Sequence, residues 1–213
     1  MTDRCQVVVL ISGDGSNLQA IIDNSQNSCY EVCLVVSNKP DAFGLTRADN
    51  AAIATRVVDH KHFENRKAFD QALREAIDTA NPDLVVLAGF MRILTEEFVQ
   101  HYRGRIINIH PSLLPAYPGT NTHQRVLDAG ESEHGVSVHF VTEELDGGPV
   151  IAHSSLLVDP GESAVDLAKR VAEKEHALYP QVVTWFAEQR LIMKDNKAEL
   201  DGQVLPPNGI KVD

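Results

Sequence analysis

Short, mainly apolar runs punctuate the first half of the chain, over residues 7–11, 31–37, 53–58, 84–88 and 106–109. They are rich in Val and Ile, and apolar at nearly every position rather than every second one. Runs of this kind suit strands covered on both faces, as in a parallel sheet. Between them, segments 17–23, 43–52, 66–80 and 95–101 carry helical patterning. Alternation of strand and helix along five strands predicts an α/β fold with a doubly wound, mostly parallel sheet of Rossmann-like type.

The pattern changes after residue 130. Segments 136–142 and 150–158 read as strands, and the connection 143–149 is too short for a parallel crossover, so an antiparallel hairpin is expected. A long helix follows. Ser163 is its expected N-cap, with Asp166 at the capping-box position. Ala164, Leu167, Ala168, Val171, Leu178 and Val182 share one face, and Pro180 is expected to kink it. The tail from Leu191 carries Gly202, Pro206, Pro207 and Gly209 and reads as surface turns. Residues 1–213 contain no repeat, low-complexity stretch or linker, so one domain is expected.

Bulk properties narrow the function classes. The chain's 213 residues suit one domain with an ample core. Its net charge of −11 argues against sequence-independent nucleic-acid binding, which needs a basic footprint. An anionic ligand would have to be held by a local device such as a helix N-terminus. Cys5, Cys29 and Cys33 are odd in number and form no C-x-x-C, so neither a disulfide framework nor a zinc ribbon is expected. The run 7–11 is too short to span a membrane and has no cleavage signature. A cytoplasmic location is the default.

Two places carry candidate chemistry. The first strand enters Ser12-Gly13-Asp14-Gly15-Ser16-Asn17, and a helix follows. Glycines at such a turn let backbone N–H groups approach an anion, and the helix dipole adds to the attraction. Ser16 and Asn17 suit capping the helix or donating to phosphate. Leu18 stands where a dinucleotide fingerprint needs its third glycine, and the lysine of a P-loop is missing. A mononucleotide or sugar phosphate fits better. A plain tight turn before a capped helix fits the loop equally well.

The second place is the end of strand 106–110. Residues two apart face the same side, so Asn108 and His110 project together while Ile107 and Ile109 point the other way. Pro111 ends the strand, putting the pair at its carboxyl end, where open α/β sheets bind ligands. An amide N–H can donate to an oxyanion, and an imidazole moves protons near neutrality. The pair suits attack on a carbonyl carbon, or is a buried polar couple without catalytic role. Asp146 opens an Asp-Gly step that by itself reads as a turn; it gains a role if its loop folds back over His110. Glu175 lies on the apolar face of the long helix, seven residues past Ala168, where a carboxylate needs a partner. No histidine spacing suits a metal site, and His60-Lys61-His62 reads as a solvated loop. Ser112 lies in no nucleophile elbow.

Ile109-His110-Pro111-Ser112-Leu113-Leu114-Pro115, preceded by Asn108, resembles the signature of the folate-dependent formyltransferases. Ser12-Gly13 with Gly15-Ser16-Asn17 narrows the resemblance to the phosphoribosylglycinamide branch. Ala88-Gly89-Phe90-Met91-Arg92-Ile93-Leu94, His134-Gly135 with Ser137-Val138-His139, Leu145-Asp146-Gly147-Gly148-Pro149 and Glu175-His176-Ala177-Leu178-Tyr179-Pro180 extend it over nearly the whole chain. The resemblance implies formyl transfer from 10-formyltetrahydrofolate to the amine of glycinamide ribonucleotide in purine biosynthesis, by a monomer or homodimer without a metal. It implies Asn108, His110 and Asp146 as catalytic residues. Gly13, Gly15, Ser16, Asn17 and Glu175 would bind the ribonucleotide. Arg66, Met91, Arg92, Ile93, Leu94, Asn108, Thr142, Glu143, Glu144, Leu145 and Asp146 would bind folate. Two positions depart from the family pattern. Asp14 puts a carboxylate inside the phosphate loop, so its side chain is expected to point away. Asn121 stands where some members have histidine.

Three alternatives remain. A formyltransferase acting on methionyl-tRNA carries a further C-terminal domain and a basic surface, which an acidic chain of this length is not expected to supply. A formyltetrahydrofolate hydrolase has no need of a sugar-phosphate loop. A nucleotide-sensing module would leave Asn108 and His110 unexplained.

Overall fold

A computed structural model describes residues 4–213. Its centre is an eight-stranded sheet ordered β11-β7-β6-β5-β4-β1-β2-β3. The strands β1 (Cys5–Ile11), β2 (Tyr30–Ser37), β3 (Ala54–Val57), β4 (Leu84–Leu87) and β5 (Ile106–His110) run parallel. β6 (Glu133–Phe140) joins β5 antiparallel, and β7 (Val150–Leu157) joins β6 antiparallel. The predicted strands and helices are all present, with ends that differ by at most three residues.

Helices cover both faces. α1 (Ser16–Ser25), α2 (Phe43–Asn50), α5 (Thr122–Asp128) and α6 (Ala164–Ala187) pack on one side, α3 (Arg66–Asp78) and α4 (Glu96–His101) on the other. Val7, Val9 and Ile11 of β1 face the first layer, and Val8 and Leu10 the second, all fully buried. That two-sided burial is why the run is apolar at every position. Ser163 caps α6 by accepting from Asp166 N–H at 3.2 Å. α6 continues past Pro180 without a break.

The chain turns back on itself where the strand order reverses: β1 is followed outward by β2 and β3, and β4 then returns to its other side. The loops after β1 and β4 therefore flank one crevice, the usual ligand position in such sheets.

Two features lie outside the sequence-based expectations. α5 has only seven residues and no side-chain cap at Asn121, too little pattern for periodicity to register. The tail expected to be surface turns forms strands. β8 (Leu191–Lys194), β9 (Lys197–Leu200) and β10 (Gln203–Val204) make an antiparallel meander, and β11 (Ile210–Lys211) pairs parallel with β7. The links Asp195-Asn196 and Asp201-Gly202 have positive φ at both residues, as two-residue hairpins with type I′ turns require. Buried Leu191 and Ala198 tie the meander to the core.

Candidate active site

The phosphate-loop candidate is built from backbone. Gly15 is left-handed, with φ of 77°, and precedes α1 without a side-chain cap, so neither Ser16 nor Asn17 caps the helix as expected. A Cβ on Gly15 would lie 2.8 Å from Gly44 Cα. The loop is held against the start of α2, where Gly44 N–H donates to the Gly13 carbonyl at 3.0 Å. Glycine at 15 thus answers both conformation and close approach. The first-turn N–H groups of α1 have no helical acceptor, which is what makes a helix start an anion site.

The side chains around this loop are already engaged. Asp14 points away as expected: Arg47 binds its carboxylate at 3.0 Å and its carbonyl at 2.9 Å. The Asn17 amide donates to Glu175 Oε2 at 2.7 Å, which joins two residues read separately in the sequence. Burial pushes the Glu175 carboxyl above its ordinary range, and the Asn17 bond partly opposes this. One helical turn on, the Tyr179 hydroxyl donates to the carbonyls of Leu87 and Ile107, at 2.9 and 3.2 Å. α6 is thereby fixed to β4 and β5, beside the crevice.

The second cluster is built from side chains. Ile107 and Ile109 of β5, with Val138 and Phe140 of β6, point into the layer under α6. Their neighbours Asn108 and His110 therefore face the other side, as do His139 and Ser137, which stand opposite them across the strand pair. Past α4 this face is covered by the loop after β6, anchored where Glu143 meets Gln100 and, at 3.3 Å, Arg103. Gly148 lies against the Phe140 carbonyl, 1.8 Å from where a Cβ would stand, so only glycine lets the loop cross there.

This loop brings Asp146 to His110. Asp146 Oδ2 lies 3.5 Å from His110 Nδ1 and accepts from Gly119 N–H at 2.8 Å. On the other edge of the ring, His110 Nε2 is 2.9 Å from the Tyr117 carbonyl. A carbonyl only accepts, so Nε2 carries the hydrogen, and Nδ1 is the nitrogen free to gain or lose a proton beside Asp146. Ser137 holds the segment after His110, donating to the Ser112 carbonyl at 2.8 Å and accepting from Leu114 N–H at 3.0 Å.

Asn108, His139 and Asp146 stand in the wall of a cleft of about 130 Å³. Of the residues expected to hold folate, Arg92, Ile93, Leu94, Thr142, Glu143, Glu144 and Leu145 also line it. Leu87, Phe90, Val99 and Val141 complete an apolar wall, suited to a flat heteroaromatic ring with polar edges. Met91 and Arg66 lie outside this lining. Met91 is 68% exposed, and its N–H donates to buried Ser12 Oγ at 2.8 Å, tying this segment to the phosphate loop. Arg66 is exposed at the start of α3. His60 is not a solvated loop residue: its Nδ1 lies 2.9 Å from the Asn38 carbonyl.

Sequence reading missed His139 as a site residue. Its signal was the one that revealed Asn108 and His110, polar residues alternating with apolar ones along a buried strand. Among the described residues, no group of three or more His, Cys, Asp or Glu is placed to hold a metal ion.

Comparison with known proteins agrees with this geometry. Residues 5–183 match the family model described as formyl transferase. The phosphoribosylglycinamide formyltransferase of Escherichia coli is 56% identical over 209 residues, covering 97% of this chain and 99% of that protein. The Haemophilus influenzae protein of the same name is 47% identical, over 96% and 97%. A solved phosphoribosylglycinamide formyltransferase from Coxiella burnetii superimposes with a TM-score of 0.95 at 49% identity, over 99% of this chain and 100% of that one. By fold, by site and by these likenesses, the chain belongs to the formyl transferase family.

Proposed function

We propose that this chain transfers the formyl group of 10-formyltetrahydrofolate to the amine of glycinamide ribonucleotide, a step of purine biosynthesis. The observation that best supports this reading is the meeting of Asp146 with His110, 3.5 Å apart, with Asp146 and Asn108 both in the cleft wall. The likeness to the Escherichia coli enzyme over nearly the full length of both chains supports the same substrates.

In this reading the folate ring occupies the cleft and supplies the formyl carbon. The ribonucleotide phosphate sits on the N–H groups at the start of α1, and Glu175 accepts from its ribose hydroxyls. The attacking amine, with a pKa of ~8 in its free form, is partly neutral at pH 7. Its attack forms a C–N bond and puts negative charge on the formyl oxygen. The Asn108 N–H and a proton on His110 Nδ1 hold that oxygen. Asp146 stabilises the imidazolium and passes the amine proton on through water. Breaking the bond to the folate nitrogen completes the transfer, and that nitrogen takes the proton. The reading includes a cytoplasmic enzyme, in keeping with three free thiols. Among the described residues no helix is long and apolar enough to cross a membrane.

The test is a formyl-transfer assay with glycinamide ribonucleotide and 10-formyltetrahydrofolate, run with both present and with each omitted in turn. Formylated ribonucleotide, formed only when both are present, is the expected product. Formate released without acceptor would point to a hydrolase, and nucleotide binding without turnover to a sensor.

A further inference from the structure

We propose that His139 is a positioning residue: it fixes which end of the Asn108 amide faces the cleft. The inference rests on the proposed role of Asn108 as oxyanion donor and adds the group that makes it a donor.

His139 is buried, 2% exposed, directly across the strand pair from Asn108. Its Nδ1 lies 2.8 Å from the Phe140 carbonyl. That oxygen cannot donate, so Nδ1 carries a hydrogen. Burial holds the ring neutral, pushing its pKa down against the opposing pull of the Phe140 hydrogen bond and the Asp146 carboxylate. A neutral ring has one hydrogen, so Nε2 presents a bare lone pair. The Asn108 amide nitrogen lies 3.1 Å from it and donates.

The opposite amide orientation would set Asn108 Oδ1 against the Nε2 lone pair. The Asp146 carboxylate, 3.8 Å from Nε2, is a further acceptor there. Three acceptors would meet with no proton between them. One N–H of Asn108 is thus committed to His139, and the second remains for a ligand oxygen. Without the imidazole, either end of the amide can face the cleft, and a carbonyl oxygen facing the developing oxyanion would repel it.

The test compares His139→Asn with His139→Gln, each alone and combined with Asn108→Ala. Asn reaches only the Nδ1 position and leaves Asn108 without its acceptor. Gln places Oε1 near the former Nε2. His139→Asn is expected to lower kcat roughly ten-fold, less than outright loss of the donor, with KM for both substrates within about two-fold. His139→Gln is expected to recover most of the loss. Added to Asn108→Ala, His139→Asn should cost little more, because the group it orients is gone. Wild-type kcat in His139→Asn, no advantage of Gln over Asn, or multiplying losses in the double variant would each overturn the inference. If His139→Asn does not fold, His139→Leu, which also lacks the acceptor, is scored by the same criteria. Full turnover in Asn108→Ala alone would instead overturn the catalytic reading beneath it.

Discussion

The phosphate-loop candidate and the Asn108 cluster sit at the ends of β1 and β5, with β4 between them, but are made differently. The loop is local. Residues 12–17 are consecutive, and their useful groups are backbone N–H donors released by Gly15 at φ 77°. The cluster is assembled from β5, β6 and the loop after β6, and its useful groups are side chains whose hydrogen-bond direction is set by Tyr117, Phe140 and Gly119. A backbone device tolerates most side-chain changes and fails when conformation fails. A side-chain device fails when one atom of one residue changes. Damage to the first should therefore appear in substrate affinity, and damage to the second in turnover.

The most severe test of that contrast is Asn108→Ala. Losing one oxyanion donor is expected to lower kcat by roughly 10²–10³ with little change in KM; steady-state kinetics would decide, and near-normal turnover would remove Asn108 from the mechanism. Next comes Asp146→Asn. It keeps an oxygen for the Gly119 N–H but removes the charge facing His110, and turnover should fall about 10²-fold, at the low end of acid–base contributions. If only KM moved, Asp146 would belong to binding.

Gly15→Ala probes the other region. The added Cβ meets Gly44 Cα at 2.8 Å in a left-handed conformation, so a stability loss of about 1–3 kcal/mol is expected. KM for the ribonucleotide should rise roughly ten-fold while kcat is largely kept, since the loop binds by the dipole and N–H groups that the change displaces. A fall in kcat at unchanged KM would erase the distinction between the two regions.

The smallest effect concerns Glu175, which joins α6 to the loop through Asn17. Its carboxyl is raised above the ordinary value of 4.5, chiefly by burial. A raised carboxyl means that the folded state keeps a proton the unfolded state has released. Its contribution to stability therefore falls as pH rises from 4.5 through the folded value, and then levels off. Glu175→Gln removes this dependence and keeps an acceptor for Asn17. Thermal melts across pH should show the variant gaining on the parent from pH 4.5 upward. A constant gap would mean that the carboxyl is not perturbed.

Much of the site was readable from residue order. Alternation placed Asn108 with His110, and a glycine turn before a helix marked residues 12–17. Seven-residue spacing from Ala168 put Glu175 on the inner face of α6. Each signal is periodic or contiguous, so it survives in one dimension. Gly202, Pro206, Pro207 and Gly209 make the tail read as surface turns, whereas Asp195-Asn196 and Asp201-Gly202 close hairpins. His139 carried the same alternating signal as Asn108 and was passed over.

Sequence by itself determined the parallel α/β core, because a strand buried on both faces must be apolar throughout and a helix buried on one face must be apolar at helical spacing. It also determined which side of β5 holds the polar pair, since the strand period is two. Only the tertiary structure decided that Asp146 reaches His110 and that Asn17 meets Glu175. It alone showed that His110 holds its hydrogen on Nε2 and His139 on Nδ1. Those outcomes depend on which carbonyl each ring finds within hydrogen-bond distance, and residue spacing does not encode the direction of a hydrogen bond between distant segments.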